Sequence, residues 1–322
     1  MTAIRVGIVS WNTADLLDHC LAALPAALGG LDAEVVVVDN ASSDSSGAVA
    51  RRHHDVAVVV HDGNLGYARA MNHALSGSSA PVLIALNPDT VPAPGSLKSL
   101  AERLEQDPEL GLVVPRLRNP DGSVQHSVYR FPSPAVAAAV SFVPPRWQHG
   151  RIGQRYWLEG ASPHDHSTDI DWAIGAVHAM RADALQGADP YSLRWFMYVE
   201  DLDLCWRLHQ RGWRCRLEVD AEVIHVGNAA GSQAWGSDRR QRWLPATYDW
   251  YDLAKGRGAR RRWAALNAVG SSVDAAVYAA GAVQPRHRAR RLGVARSLAE
   301  AVPIHWHALM SDVVVPAGAP PR

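Results

Sequence analysis

Four apolar segments, separated by stretches with helical periodicity, constrain the fold of this chain more than any other feature. The segments lie at residues 5–10, 34–38, 56–60 and 82–86, and each predicts a buried strand. Between them, apolar side chains recur at helical spacing. Strands that alternate with helices in this way predict an α/β protein with a doubly wound, mostly parallel sheet flanked by helices.

Polar residues lie at the ends of the predicted strands. Ser10, Asp39, Asn64 and Asp89 follow the four strands in turn. Ligands of open α/β sheets bind in the crevice outside the carboxyl ends of the strands, so these residues predict a binding site there. Oxygen ligands suit a hard divalent cation that holds phosphates. An ordinary type I turn is the alternative interpretation of residues 87–89, since Asn, Pro and Asp are common turn residues.

The composition predicts a globular protein and excludes several classes. Of the 322 residues, 48% are apolar, and the 32 basic and 32 acidic residues cancel, so no net field attracts nucleic acid. Three cysteines are too few for a disulfide framework. We find neither a signal peptide nor a run of about 18 apolar residues that could span a bilayer, and therefore expect a cytoplasmic protein. The first strand-to-helix turn, SWNTAD, lacks the glycines of dinucleotide-binding and P-loop proteins.

A series of short motifs resembles those of the family 2 glycosyltransferases of the GT-A fold, especially bacterial rhamnosyltransferase-like members. The motifs are, in order, IVSWN, VVVVDNASSD, NLGYARAMN, NPDT, YVEDLDLCWRLHQRGWR and VIHVGN. The resemblance covers roughly residues 3–255. It implies a GT-A catalytic domain at 1–250, with a donor-binding half at about 1–115 and an acceptor and catalytic half at about 116–250. Residues 251–322 would form a helical, basic C-terminal extension with a disordered tail.

The resemblance also implies roles for individual residues. Asp39 would contact the nucleotide base, Asp89 would bind a divalent cation (Mn²⁺ or Mg²⁺), and Asp201 would be the general base. Asn87 stands where the family has the first Asp of its Asp-x-Asp motif. His225 would be a second metal ligand, and Glu200 would lie beside the base. Trp172 and Asp203 would be on the acceptor side. The expected donor-binding residues are Ser10, Trp11, Asn12, Asn64, Gly66, Asn72, Asn87 and Gly175.

Several of these residues have a second interpretation. Carboxylates at the start of a helix, as at residues 200–203, are favoured by the helix dipole whatever the function. His225 could equally be a strand-end histidine bonded to a loop, and we interpret His178 as a packed core residue. The arginines and aromatic residues of the segment 116–168 suit an acceptor-binding lip, but a long surface loop has a similar composition, and we favour the loop.

The implied activity is that of an inverting, metal-dependent glycosyltransferase, with L-rhamnose from dTDP-rhamnose as the favoured sugar. The expected partners are a dTDP- or UDP-linked sugar and an acceptor hydroxyl on a cell-envelope glycan, a lipid-linked sugar or a glycosylated metabolite. Basic clusters near residues 255–262 and 286–291 suggest peripheral contact with an anionic membrane, and a homodimer is a further option. A nucleotidyltransferase and a catalytically inactive carbohydrate-binding module are the rival functions.

Overall fold

The computed structural model describes residues 4–142, 151–157, 165–227, 239–283 and 288–312, which form two compact units. The first unit contains the described parts of Met1–Tyr129 and Pro163–Ala234, and the second contains those of Arg130–Ser162 and Trp235–Gly318. Within the described ranges, no helix is both long enough and apolar enough to cross a membrane.

The strands and helices of both units are numbered here in chain order. The strands are β1 (Ile4–Ser10), β2 (Ala33–Asp39), β3 (Val56–Val60), β4 (Val82–Leu86), β5 (Thr90–Pro92), β6 (Leu110–Arg118), β7 (Val128–Tyr129), β8 (Thr168–Ile170), β9 (Trp172–Ala173), β10 (Val177–Arg181) and β11 (Arg214–His225). The helices are α1 (Ala14–Leu28), α2 (Ser46–Arg52), α3 (Tyr67–Leu75), α4 (Ser96–Gln106), α5 (Pro134–Phe142), α6 (Arg151–Tyr156), α7 (Ala182–Leu185), α8 (Glu200–Gln210), α9 (Arg239–Lys255), α10 (Arg257–Ala280) and α11 (Arg288–Met310).

The first unit is built on a mixed sheet of order β3-β2-β1-β4-β10-β6-β11-β5, with β8 also paired to β11. The first four strands of this order are parallel, β10 runs antiparallel between β4 and β6, and β6 and β11 are again parallel. A separate two-stranded sheet joins β7 to β9. The predicted α/β sheet with flanking helices is therefore confirmed.

Helices cover both faces of the sheet, as a doubly wound fold requires. On one face, α1, α2 and α4 share a single apolar core with alternate residues of the strands. On the other, α3 packs against β1 and β2. A Cβ atom at Gly7 of β1 would lie 2.9 Å from Leu75 Cδ2 of α3, so the absence of a side chain there permits the close approach of this helix. The three cysteines are unpaired and buried, as predicted.

Strand pairing sets the limits of several elements in the second half of the sheet. Helix α4 begins only at Ser96, because Val91 and Pro92 pair with β11. The segment 116–168 is not simply a loop: it contains β7, α5 and α6. Proline at the first position of α5 and the alanine-rich run after it favour that helix.

The second unit is helical in its described parts. Helix α9 runs through residue 250, so the expected domain limit at that residue lies inside a helix. Arg260 of α10 is buried, and its Nε lies 3.3 Å from Asp252 Oδ2 while its Nη2 donates to the Ser311 carbonyl at 2.9 Å. Tyr248 of α9 shares a 2.8 Å hydrogen bond with His305 of α11. The tail expected to be disordered lies outside the described residues.

Candidate active site

The carboxyl ends of β1 and β2 lie side by side in the first unit. Ser10 is the pairing partner of Asp39, and Ile8 is the partner of Leu86 in β4. The polar residues that follow these strands are thus brought to one edge of the sheet, as predicted. Trp11 is partly exposed at this edge. The Ser10 hydroxyl is buried and hydrogen-bonded to Thr13 at 2.8 Å, so it fixes the loop before α1.

Asp39 is held in one orientation at the end of β2. Its Oδ1 accepts a hydrogen bond from the Ser42 N–H at 2.9 Å. A Cβ atom at Gly47 would lie 2.6 Å from Asp39 Oδ2, so a side chain at that position would displace the carboxylate. Asn12, which has a positive φ of 53°, accepts a 2.7 Å hydrogen bond from the Ser43 N–H and so joins the loops after β1 and β2.

Asn40 organises the loop after β3, a role that the sequence did not reveal. Its amide nitrogen donates to Asn64 Oδ1 at 2.9 Å, and its oxygen accepts from the Leu65 N–H at 3.0 Å. Gly66 has φ 82°, and a Cβ atom there would lie 2.5 Å from the Phe196 carbonyl oxygen. The amide of Asn64 is therefore used within the loop. The only signal for Asn40 was its place directly after Asp39.

Asn72 was expected to bind the donor, but its contacts are structural. It is buried, its amide nitrogen donates to the Tyr191 carbonyl at 2.7 Å, and its oxygen accepts from the Tyr191 N–H at 3.0 Å. Both hydrogen-bonding ends of the amide are thereby occupied by one residue of the chain. These two bonds show a structural role for Asn72, and a contact with the donor stays a prediction.

Asp89 and His225 are brought together by the pairing of β5 with β11. Thr90 is the partner of His225 in this pair, and the Val226 N–H donates to the Asp89 carbonyl at 2.9 Å. Both side chains are buried, with 3.4 Å between Asp89 Oδ1 and His225 Nε2. Two ligands at about 2.1 Å from one ion are separated by about 3.0–3.4 Å, so this spacing fits a shared cation. Asn87, which stands before this pair, is partly exposed.

Gln125 sets the tautomer of His225, and the sequence gave no signal for it. The His225 Nδ1 lies 2.7 Å from Gln125 Oε1. Since the amide oxygen can only accept, Nδ1 carries the proton and Nε2 directs its lone pair toward Asp89. Among the described residues, no group of three His, Cys, Asp or Glu side chains could hold a metal. Within that part of the chain, a cation bound by this pair would therefore take its further ligands from other residue types or from the donor.

The start of α8 presents two adjacent carboxylates. The two residues before it, Tyr198 and Val199, have positive φ values of 72° and 74°, which are rare outside glycine. Asp201 Oδ1 accepts from the Leu202 N–H at 2.7 Å, and Oδ2 accepts from the Gly175 N–H at 3.1 Å. Glu200 is buried, and its Oε2 has no hydrogen-bond partner within the described part of the chain.

The surroundings separate the two carboxylates in acidity. Burial, together with the charge of Asp201, raises the pKa of Glu200 to about 8. Burial also raises the pKa of Asp201, but the two backbone N–H groups stabilise its ionised form and the value rises only to about 6. Asp201 is therefore the member of the pair whose ionised form is better stabilised, because it has the two backbone N–H donors. This difference in acidity could not be predicted from two adjacent acidic residues in the sequence.

The residues expected on the acceptor side differ in their surroundings. Asp203 is buried and forms an ion pair with Arg207, with 2.7 Å between Oδ2 and Nε, so its carboxylate stabilises α8 internally. Trp172 stacks on Tyr129 across the β7–β9 sheet, with ring centroids 4.7 Å apart. His178 is fully buried, which confirms its interpretation as a core residue.

Comparison with known proteins agrees with this architecture. Residues 5–160 match the sequence profile of Glycosyl transferase family 2. The N-acetylglucosaminyl-diphospho-decaprenol L-rhamnosyltransferase of Mycobacterium tuberculosis is 29% identical over 234 residues, which cover 69% of this chain and 75% of that protein. The fold resembles that of a mannosyltransferase from Pyrobaculum calidifontis in complex with GDP-Man and Mn²⁺, with TM-score 0.56, 19% identity, and coverage of 93% of this chain and 86% of that one. It also resembles S. aureus TarS in complex with UDP-GlcNAc, with TM-score 0.52, 15% identity, and coverage of 95% and 83%.

The fold and the matches define the class of protein. The chain is a glycosyltransferase with a GT-A-like sheet, as the motifs predicted. More narrowly, it carries a glycosyltransferase domain of family 2.

Proposed function

We propose that this protein transfers a sugar, with inversion, from a nucleotide diphosphate to an acceptor hydroxyl in a metal-dependent reaction. The observation that carries the proposal is the Glu200–Asp201 pair at the start of α8, in which two backbone N–H groups hold Asp201 while Glu200 is buried beside it. A base for a sugar hydroxyl must be ionised and fixed in direction. Asp201 meets both conditions, because backbone N–H groups hold both of its oxygens. Presence of these carboxylates disfavours a catalytically inactive binding module.

The proposed transfer is a single in-line displacement. The oxygen of the acceptor hydroxyl attacks the anomeric carbon while Asp201 takes the proton of that hydroxyl. The bond between the anomeric carbon and the nucleotide diphosphate breaks on the opposite side. Asp89 and His225 would hold a divalent cation, Mn²⁺ or Mg²⁺, which offsets the charge of the leaving diphosphate when bound. Glu200, as the neutral member of its pair, keeps a second negative charge away from the base.

The proposed donor is a pyrimidine nucleotide sugar, with dTDP-L-rhamnose as the favoured one. Asp39 can only accept hydrogen bonds, and a uracil or thymine base offers it an N–H. Similarity to the mycobacterial L-rhamnosyltransferase supports rhamnose and a lipid-linked, sugar-bearing acceptor of the cell envelope. The fold does not determine which nucleotide base the donor carries, since two structures of similar fold contain GDP-Man in one case and UDP-GlcNAc in the other.

Calorimetric titration with a panel of donors tests the proposal without an acceptor. We expect dTDP-rhamnose or a UDP-sugar to bind more tightly than GDP-mannose, and to do so only with Mn²⁺ or Mg²⁺ present. Asp89→Ala should abolish the metal dependence, and Asp39→Asn should reduce the preference for pyrimidine donors. Glu105→Gln, at an exposed position on α4, is the matched control. Tightest binding of GDP-mannose, or equal binding with and without metal, would refute the corresponding part.

We also propose that the protein is cytoplasmic and that its second unit contacts an anionic membrane surface. Val269, Val273 and Val277 lie on one face of α10 with exposures of 52%, 46% and 62%. Arg262, two helical turns before Val269, is exposed on the same side, and Arg288 is exposed at the start of α11. An apolar stripe bordered by arginines suits an interface of lipid tails and anionic headgroups.

Vesicle flotation tests the membrane proposal. Binding should rise with the phosphatidylglycerol content of the vesicles, and Val273→Asp should reduce it. Val124→Asp, at an exposed position in the first unit, is the control. Binding that does not depend on the content of anionic lipid would refute the proposal. Light scattering would show instead whether the exposed valines of α10 are buried in a homodimer. Val273→Asp should then dissociate that homodimer.

A further inference from the structure

A buried chain of hydrogen bonds lies behind the Glu200–Asp201 pair. His178 Nε2 lies 3.3 Å from the Ala173 carbonyl oxygen, and its Nδ1 lies 3.1 Å from the Tyr191 hydroxyl. A carbonyl oxygen can only accept, so Nε2 carries the proton. Burial lowers the pKa of His178 to about 4, and the ring is neutral at physiological pH. Nδ1 is therefore an acceptor, and the Tyr191 hydroxyl donates to it.

Tyr67 lies against Tyr191 and donates to Gly175. The two tyrosine rings meet edge to face, with centroids 5.5 Å apart. The Tyr67 hydroxyl has a single proton, which it donates to the Gly175 carbonyl at 3.4 Å, whereas the proton of Tyr191 points to His178. Asn72, through its two bonds to the Tyr191 backbone, keeps the chain in place.

Gly175 joins this chain to the base. Its carbonyl accepts from Tyr67, while its own N–H donates to Asp201 Oδ2 at 3.1 Å. A Cβ atom at Gly175 would lie 3.6 Å from Asp201 Cβ and 3.9 Å from the Tyr67 hydroxyl, so the residue lies between the two. Glycine has no side chain that could fix its peptide planes. Among the described residues, the side chain that donates a hydrogen bond to the Gly175 carbonyl is that of Tyr67.

We propose that Tyr67 is a positioning residue for the base, and that Tyr191 and His178 hold it in place. By fixing the carbonyl of Gly175, Tyr67 keeps the Gly175 N–H directed at Asp201 and so keeps the carboxylate ionised and oriented. The inference rests on the proposed function, in which Asp201 is the base. Tyr67 touches no reacting atom in this scheme and acts through Gly175.

The titratable groups around Asp201 make a pH measurement interpretable. Glu200 adjoins it on the same helix, Tyr67 faces it from α3, and Tyr191 faces it from the segment before α8; Asp89 influences Tyr67 electrostatically. Burial and the nearby carboxylates raise the pKa of both tyrosines well above its ordinary value, so both stay neutral between pH 5 and 9. Of the two tyrosines and the two carboxylates of α8, Glu200 and Asp201 are therefore the ones that titrate in that range.

The test is Tyr67→Phe, which keeps the ring and removes the hydroxyl. We expect kcat to fall about 3- to 10-fold, the range of one hydrogen bond, with the donor KM unchanged. The pKa of the acidic limb of the rate profile should rise by about half a unit to one unit, since a weaker Gly175 N–H bond favours the protonated base. Tyr191→Phe should shift the limb in the same direction by less. Tyr278→Phe, at a partly exposed position on α10, should change neither quantity.

A measurement independent of transfer completes the test. Carbon-13 NMR of protein labelled at aspartate carboxyl carbons, assigned with Asp201→Asn, gives the pKa of Asp201 directly, and Tyr67→Phe should raise it. If Tyr67→Phe only lowers the melting temperature and leaves both kcat and this pKa unchanged, Tyr67 is a packing residue and the inference is refuted. Absence of transfer by the wild type with every donor would instead refute the proposed function, and the NMR titration would still decide on Tyr67.

Discussion

Replacing the two carboxylates at the start of α8 in turn should identify the base. Burial and the charge of Asp201 raise the pKa of Glu200, whereas two backbone N–H groups stabilise the ionised form of Asp201. Glu200→Gln therefore mimics the neutral form that the surroundings of Glu200 favour. Asp201→Asn removes the ionised group while keeping its size.

The magnitudes follow from these protonation states. Loss of a general base costs about 10²- to 10⁴-fold in rate, so we expect Asp201→Asn to lower kcat by that order with donor affinity within about threefold of wild type. Glu200→Gln should retain kcat within about tenfold at pH 7. The wild-type rate should rise with pH through about 6, as Asp201 ionises.

Steady-state kinetics across pH 5 to 9, with donor affinity from calorimetry and folding from circular dichroism, provide the measurement. Glu105→Gln serves again as an exposed carboxylate control. If Asp201→Asn transfers sugar at near the wild-type rate and Glu200→Gln does not, the base is Glu200. The acidity order inferred from burial and backbone hydrogen bonds would then be wrong.

Three further predictions concern metal affinity and stability. Gln125→Ala frees the His225 tautomer and should weaken Mn²⁺-dependent donor binding about 10- to 100-fold by calorimetry, and an unchanged affinity would contradict the metal role. Gly66→Ala places a side chain at positive φ against a carbonyl and should lower the free energy of unfolding by about 2 kcal/mol or more, whereas Gly63→Ala, with open space, should change it little in urea melts. Because the pKa of Glu200 is raised on folding, its contribution to stability is present at low pH and lost as pH rises toward 8, so the melting temperature should fall over that range and fall less in Glu200→Gln.

Sequence pattern predicted the donor half of the fold well, because each buried strand there is an uninterrupted apolar run that ends in polar residues. Asp39 and Asp89 could be placed at the site for that reason. The partnership of Asp89 with His225 depends on the antiparallel pairing of β5 and β11, two strands separated by more than a hundred residues, and no local pattern encodes that register. Gln125 was missed for the same reason.

Two expected site residues have structural contacts that their motifs did not indicate. Asn72 belongs to a motif that suggested a ligand contact, yet its amide is consumed by the Tyr191 backbone. Asp203 looked like a third acidic group for the site, but Arg207, one helical turn away, neutralises it. A motif gives the order of residues along the chain. The orientation of each side chain depends on the polar groups that lie within hydrogen-bonding distance of it in the folded protein.

Positive φ values at Tyr198 and Val199 have a consequence for engineering this enzyme for heat resistance. Each such residue carries an energetic cost of about 1–3 kcal/mol, and a β-branched side chain makes the conformation at Val199 especially unfavourable. Val199→Gly would relieve that cost and is an obvious choice for a stabilising variant. The same two residues aim the first turn of α8, so a chain relaxed there could gain thermal tolerance while losing the alignment of its base. Thermostable versions are better sought at exposed positions of α9–α11, where no residue of the proposed reaction lies.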